Sequence, residues 1–518
     1  MGQPVSAGPG LDSRVVAGRG GVRNTMANLA LALASAGLLI LTFPGPGLAW
    51  LAPVALTPLL IAAAREPNPW RRLLLGEAAG IVYWFGVCTW IQFVLSYHGG
   101  MGELAGWACF LLFCIAKAAH LAVFTWLAGY VMDRWWTLPA AAALWTGIER
   151  THGPLGFAWM ALGNAGIDMD LPMRLAPWTG VYGLSFVFAM IAAALASAAL
   201  RKPRRRLAWL AVLPALWLLP PLPGPADGAR ELVVMQPNVP LDKSWDSASL
   251  RRTVDRLALE TVAAAMEPGA ARPELLVWPE VPAPFYYETD PRFRTAAQNL
   301  ARLTRSPFLF GTVAYTRDGS PLNSAQLLDA QGRPVARYDK MFLVPFGEFV
   351  PPLFGFVNRI TKEAGDFVPG RKIVLMSLDG RRYGVFICYE AVFPHLVRRF
   401  ALRGAEVFVN LSNDGYFGRS AARRQHLLIA RMRAAENRRW LIRATNNGIT
   451  AAIDPAGRLR QRFPEDVEMA ARLDFSYVRE TTFYTRHGDW FAWGCLLAGL
   501  LAAASRRFGA VYHRRENK

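Results

Sequence analysis

Apolar residues gather into long runs before about residue 222 and into one short run near the C-terminus. Between them, short apolar runs alternate with amphipathic ones. A bilayer core requires about 20 apolar residues per helix. On that measure membrane spans are predicted at 26–43, 48–64, 73–97, 104–132, 137–149, 178–200, 206–222 and 488–505. The fifth is the shortest and is closed by Glu149 and Arg150. The first run continues past Ala-Leu-Ala-Ser-Ala and turns at Pro44-Gly45-Pro46-Gly47, so it reads as half of a hairpin rather than a cleaved leader. The organisation that follows is a basic, unstructured tail over 1–25, a bundle of about seven helices over 26–222, a globular domain over 223–486, and a last helix with its tail over 487–518.

Within the globular stretch, strands are expected at 231–236, 274–278, 307–313, 335–338, 373–377, 383–388, 405–411 and 450–454. Helices are expected at 247–266, 291–305, 394–402 and 420–437. Strands alternating with helices predict a layered α/β domain. In such folds reactive groups lie at the carboxyl ends of strands. Glu280, Lys340, Cys388 and the pair Asn413-Asp414 each stand just after a predicted strand.

Composition fits this division: 53% of the 518 residues are hydrophobic, and the mean hydropathy is +0.20. The net charge of +19 is a matter of placement. Arg14, Arg19 and Arg23 precede the first span, Arg65, Arg71 and Arg72 follow the second, and Arg134 follows the fourth. Arg201, Lys202 and Arg204 to Arg206 follow the sixth, and Arg506, Arg507, Arg514, Arg515 and Lys518 follow the last. Loops 44–47 and 98–103 hold no Lys or Arg, and 150–177 holds Arg150 and Arg174. The excess of basic residues on cytoplasmic loops then puts both termini in the cytoplasm and residues 223–486 in the periplasm of a bacterial inner membrane. With no basic and aromatic stripe, nucleic-acid binding is excluded. The seven scattered histidines make no metal set. Without an internal repeat or a broken-helix pair, nothing supports a transporter. Lys117 and His120, deep in the fourth span, read as a pair inside the bundle.

Four of the five cysteines (Cys88, Cys109, Cys114, Cys495) fall in predicted spans, which leaves Cys388 alone in the globular stretch without a disulfide partner. A thiol is mostly protonated at neutral pH and reacts as thiolate. Lys340 would lower its pKa and donate to a developing oxyanion, while Glu280 would take and return the proton. That set carries acyl transfer with no metal or cofactor. Read singly, a buried cysteine is more often an inert small hydrophobe, and Glu280 or Lys340 a surface charge. A Cys-His pair of Cys388 with His395 or His426 also stays open at this point.

The segments around these residues are Val-Trp-Pro-Glu (277–280), Tyr-Asp-Lys-Met-Phe-Leu-Val-Pro-Phe-Gly-Glu-Phe-Val-Pro (338–351), Ile-Cys-Tyr-Glu (387–390), Ser-Asn-Asp-Gly-Tyr-Phe-Gly (412–418) and Arg-Ala-Thr-Asn-Asn-Gly-Ile-Thr (443–450). Gln-His-Leu (425–427), Arg-Met-Arg-Ala-Ala-Glu-Asn (431–437) and Met-Gln-Pro-Asn-Val-Pro (235–240) with Trp245 join them, as do Gly156-Phe157-Ala158-Trp159 and Tyr182 to Phe186 in the membrane half. With these motifs the chain resembles the nitrilase superfamily and, more closely, its membrane branch, the apolipoprotein N-acyltransferase family, over nearly all residues after about 26. The resemblance implies an α/β nitrilase-like α-β-β-α sandwich joined to an all-α transmembrane bundle of about eight helices. It implies Glu280 as general base, Lys340 as oxyanion stabiliser and Cys388 as nucleophile, supported by Glu348, Tyr389 and Glu390. Trp245 resembles a substrate-loop aromatic. The apolar stretch Phe349–Phe367 reads as an arm at the membrane interface, with Phe349 and Phe354 against acyl chains. Ala158 stands where the family commonly has proline and Tyr416 where it commonly has tryptophan, which bears on the shape of the substrate loop.

The implied reaction takes an acyl chain from a phospholipid, through a Cys388 thioester, to the α-amine of a diacylglyceryl-cysteine at the N-terminus of an apolipoprotein, with the enzyme a monomer. Two other readings share the fold: a membrane-tethered amidase for a small periplasmic amide, and a non-catalytic lipid-binding scaffold. Retention of all three residue types argues against the scaffold.

Overall fold

The computed structural model describes residues 12–155, 157–225, 227–241, 244–345, 347–349 and 367–516. The first helix runs Asp12–Thr42 and so begins inside the stretch expected to lack structure. Among the described residues, Asn24–Thr42, Gly102–Val131 and Val181–Ala199 are long and apolar enough to cross a bilayer. A fourth crossing is possible by length through the pair Pro69–Cys88 and Trp90–His98, bent by 61° at its break. The expected unbroken span 73–97 is therefore a broken pair, and its second part ends in a π-helical turn, Val94–His98.

The other expected spans are shorter or differently wound, and proline is a common cause. In 48–64 only Thr57–Arg65 is α-helical, with Pro58 in its first turn, where a missing N–H is tolerated. Residues 204–218 wind as a 3-10 helix with Pro214 inside it, which cannot donate along an α-helix. Thr137–Arg150 has 14 residues, all buried except the half-buried Pro139. Trp490–Ser505 is the apolar part of the last helix. Helix Pro69–Cys88 lies so close to Gly102–Val131 that a Cβ on Gly76 would come within 2.4 Å of the Leu121 carbonyl oxygen, and one on Gly80 within 2.6 Å of the Ala118 Cα. Paired small residues let membrane helices approach in this way. Lys117 and His120 meet through the backbone, His120 Nδ1 lying 3.3 Å from the Lys117 carbonyl oxygen. Lys117 Nζ lies 2.5 Å from His152 Nδ1 and donates to the Phe157 carbonyl, while His120 stacks on His152 at 3.7 Å.

The rest of the chain forms twelve strands among the described residues: β1 (Arg230–Gln236), β2 (Leu276–Val277), β3 (Phe308–Tyr315), β4 (Pro321–Leu328), β5 (Pro334–Asp339), β6 (Met376–Leu378), β7 (Arg381–Ile387), β8 (Val407–Ser412), β9 (Leu441–Thr445), β10 (Ala451–Ile453), β11 (Leu459–Arg462) and β12 (Met469–Phe475). They make two six-stranded sheets, ordered β12-β1-β2-β3-β4-β5 and β11-β10-β9-β8-β7-β6. Side chains alternate faces along a strand, and the cores follow that period. Val233 and Met235 join Leu257 of helix Ser247–Ala265 and Phe293 of helix Pro291–Thr304 in an outer core. Leu232 and Val234 face the other way, into a core shared with Val385 and Val409 of the second sheet. Helices Pro394–Leu402 and Ala422–Asn437 belong to that second half. The layers are α-β-β-α. Both helices of the first half start where sequence places them, because Asp246 caps one and Asp290 with Pro291 opens the other. Strands β4, β9, β11 and β12 are not among those expected.

Candidate active site

Strand β7 is buried from Tyr383 onward and ends at Cys388, the one site residue with a left-handed backbone (φ 48°). A side chain in that region is strained, and here the turn continues as a 3-10 segment, Cys388–Val392. The thiol is buried and hydrogen-bonds Ser412, at the end of the neighbouring strand β8. Burial raises the thiol above its ordinary value, Glu280 raises it further, and Lys340 opposes both. Lys340 lowers the thiol as expected, but burial outweighs it.

Lys340 follows β5 and is 1% exposed. Its Nζ lies 3.0 Å from Glu280 Oε1 and 2.9 Å from Glu348 Oε2. Burial works against the ammonium, but Glu280, Glu348 and Cys388 together hold it well above its ordinary value. Asn323 of β4 donates from one nitrogen to Glu280 Oε1 at 2.8 Å and to Glu348 Oε1 at 2.5 Å. The other Glu280 oxygen accepts from the Asn413 backbone N–H at 2.8 Å, and Val344 N–H donates to Glu348. Gly311 admits this close fit, since a Cβ there would lie 2.7 Å from the Glu280 Cα.

Glu390 ties the two groups together. It accepts from Tyr338 Oη and Met341 N–H, which bracket Lys340, and from Ile387 N–H, which precedes Cys388, each at 2.7 Å. Burial pushes its carboxyl up to about 7 despite those donors. Tyr389 is buried against Phe393 at 5.1 Å and Phe157 at 6.4 Å. Tyr416 feels Glu280, Glu348, Lys340 and Cys388 and packs on His98 at 5.0 Å. The bent segment Trp90–His98 therefore reaches the site.

The remaining expected residues divide. Trp245 is partly buried against the outer core around Trp278 and Phe285. Phe349 pairs with Pro345 in an isolated bridge at the base of the expected arm, and Phe354 lies outside the described residues. The Cys-His reading meets a geometric obstacle, because His426 Nε2 lies 3.1 Å from the Cys388 carbonyl oxygen and its Nδ1 faces Asp414 and Arg443. His395 packs on Phe342 and Phe393. Asn323 and Ser412 are contributors that the sequence reading did not single out. Ser412 opens a quoted motif, whereas Asn323 carries no local signal.

The two-sheet sandwich, with a buried thiol, carboxylate and ammonium at its strand ends, is matched over residues 233–483 by the family model for carbon-nitrogen hydrolases. The model for the apolipoprotein N-acyltransferase N-terminal domain matches residues 35–194. A curated apolipoprotein N-acyltransferase of Geobacter metallireducens is 34% identical, covering 93% of this chain and 96% of that protein. One from Bordetella bronchiseptica is 32% identical, covering 92% and 96%. This chain belongs to the apolipoprotein N-acyltransferase family. Among solved structures, an amidase from Nesterenkonia sp. AN1 is similar at 20% identity and a TM-score of 0.37, covering 48% of this chain and 92% of that one.

Proposed function

We propose that this chain is an N-acyltransferase that moves an acyl chain from a membrane phospholipid, through a thioester on Cys388, to the α-amine of a diacylglyceryl-cysteine at the N-terminus of an apolipoprotein. The observation that carries the reading is the buried Lys340–Glu280 pair, 3.0 Å apart, beside the one cysteine of residues 223–486, in a chain similar to named acyltransferases along nearly its whole length.

In the first step the Cys388 sulfur attacks the ester carbonyl carbon as Glu280 takes the thiol proton. Lys340 donates to the oxyanion. The ester C–O bond then breaks, and Glu280 returns the proton to the departing alkoxide, giving lysophospholipid. In the second step the amine attacks the thioester carbon, Glu280 takes its proton, the C–S bond breaks and the thiolate is reprotonated. Two half-reactions through one covalent intermediate give ping-pong kinetics. Glu348, Tyr389 and Glu390 hold the triad, and Trp245, Phe349 and Phe354 meet the substrates.

About eight membrane crossings, with 223–486 in the periplasm and both termini cytoplasmic, place the thiol where phospholipid and lipoprotein meet. The basic gaps between apolar runs support this orientation.

Intact-mass analysis of the purified protein in phospholipid tests the chemistry. A hydroxylamine-sensitive acyl adduct is expected on the native chain and none on Cys388→Ala. Adding a diacylglyceryl-cysteine peptide then yields N-acyl peptide and lysophospholipid in equal amounts. Persistence of the adduct in Cys388→Ala overturns the triad. Ammonia from a small amide without lysophospholipid would indicate the amidase instead. An impermeant thiol reagent is expected to label a cysteine introduced within 223–486 but not one within 201–206.

A further inference from the structure

Cys388 is held from both sides by one buried polar cluster. Arg443 donates to both Asp414 oxygens, at 2.8 and 2.7 Å, and Asp414 accepts from Ser412 Oγ at 2.8 Å. Ser412 is the group that hydrogen-bonds the thiol. On the other side, Arg443 Nη2 lies 3.0 Å from His426 Nδ1, beside Asp414 Oδ1 at 3.2 Å. His426 Nε2 in turn reaches the Cys388 carbonyl oxygen at 3.1 Å. Both His426 and Asp414 are fully enclosed, and Trp159 and Phe417 wall the imidazole at 5.8 and 5.7 Å.

We propose that His426 is a positioning residue for the nucleophile: its Nε2–H holds the Cys388 carbonyl and so fixes the left-handed turn that aims the thiol at Glu280 and Lys340. The inference rests on Cys388 being the nucleophile. A cysteine at φ 48° relaxes toward commoner backbone angles unless neighbours over-determine it. A carbonyl can rotate with its peptide plane, and a buried donor aimed at it removes that freedom. Burial, with the Arg443 guanidinium, pushes the imidazole down, Asp414 opposing. It is therefore neutral and carries one proton. A carbonyl oxygen only accepts, so the proton sits on Nε2, and Nδ1 accepts from Arg443. With both nitrogens engaged, His426 has no lone pair to offer the thiol. It acts on geometry.

The test compares single-turnover acylation of full-length wild type, His426→Ala, His426→Gln and His426→Asn in phospholipid. Glutamine can place an N–H near the Nε2 position, and asparagine falls short of it. His426→Ala and His426→Asn are expected to slow acylation about 100-fold, the effect of roughly 1 Å of misplacement, with phospholipid KM unchanged and the pH profile keeping its shape. His426→Gln is expected to recover most of the rate. Wild-type speed in His426→Ala overturns the proposal, as does equal impairment of the glutamine and asparagine variants. Failure of all three to give a cooperative thermal melt also overturns it, since the imidazole is then a packing group. Alkylation of Cys388 by iodoacetamide, measured in parallel, separates this inference from the reading beneath it. If wild type forms no acyl adduct, the acyltransferase reading fails, while slowed alkylation in His426→Asn that glutamine restores still reports the turn.

Discussion

At the end of the first sheet, charge is held by charge: Lys340 lies between Glu280 and Glu348, and Asn323 joins the two carboxylates from behind. At the end of the second sheet the reactive group is held neutral, by backbone and by neutral donors: Cys388 sits in a left-handed turn, its thiol bonded to Ser412 and raised by burial. The difference shows how work is divided between the sheets. An ammonium already matched by two carboxylates does not ionise the resting thiol, whose burial outweighs it. It keeps a donor in place for charge that appears only during attack, which is the interaction that accelerates chemistry. In the proposed mechanism the thiol stays protonated until a substrate carbonyl arrives and Glu280 accepts the proton. A resting thiolate beside a lipid surface would be exposed to side reactions that a thiol escapes.

Lys340→Met breaks this comparison most severely. It leaves two carboxylates facing each other, so acylation is expected to fall by about 10²–10³-fold or more. The melting temperature falls too, since stripping one partner from a buried pair costs about 3–5 kcal/mol. Acyl-adduct kinetics and a thermal melt check both. Glu390→Ala cuts the tie between the sheet ends and orphans buried donors on Tyr338, Met341 and Ile387, at about 1–3 kcal/mol each. A melt should register it before any assay.

The same carboxylate supplies a pH test. Glu390 stands at about 7 in the fold against an ordinary 4.5, and Glu436, raised by burial, behaves alike. A raised folded-state pKa means the native state binds more protons than the unfolded chain. That stabilisation is complete below about pH 4.5 and is lost as pH rises through about 7. Thermal stability is expected to fall across this window, and Glu390→Gln should flatten the slope. Asn323→Leu sharpens the comparison on the charged side alone. It removes a donor shared by two carboxylates, and one such bond, at about 1.5–3 kcal/mol, corresponds to roughly a tenfold or larger loss in acylation. Ser412→Ala is the smallest change. It deletes a hydroxyl that lowers the thiol, so iodoacetamide alkylation near neutral pH should slow about threefold, with the rate climbing further into alkaline pH than in wild type.

How far the site was legible depends on where each group sits along the chain. Glu280, Lys340 and Cys388 end strands, and a strand end followed by a lone polar residue can be read locally. Asn323 cannot. It stands inside β4, and its nitrogen meets the carboxylates only because β4 pairs antiparallel with both β3 and β5, which brings the Asn323 carbonyl oxygen to the Lys340 N–H at 2.8 Å. Strand β4 itself, Pro-Leu-Asn-Ser-Ala-Gln-Leu-Leu, has little β-branched content, as does the alanine-rich β12. Such strands form because partners distant in sequence complete their hydrogen bonds. The membrane half went the other way. Apolar runs marked the helices by composition, but prolines and a break at Thr89 decided which of them are continuous.

The order of apolar and polar residues alone determined that a membrane bundle precedes a layered α/β half, and which thiol, carboxylate and ammonium stand at strand ends, because period and composition are local properties. Only tertiary structure decided the charge on that thiol, the doubly paired state of Lys340, and the placing of His426 at the Cys388 carbonyl rather than its sulfur. Those depend on burial and on distances between residues far apart in the chain, and neither exists until the sheets pack face to face.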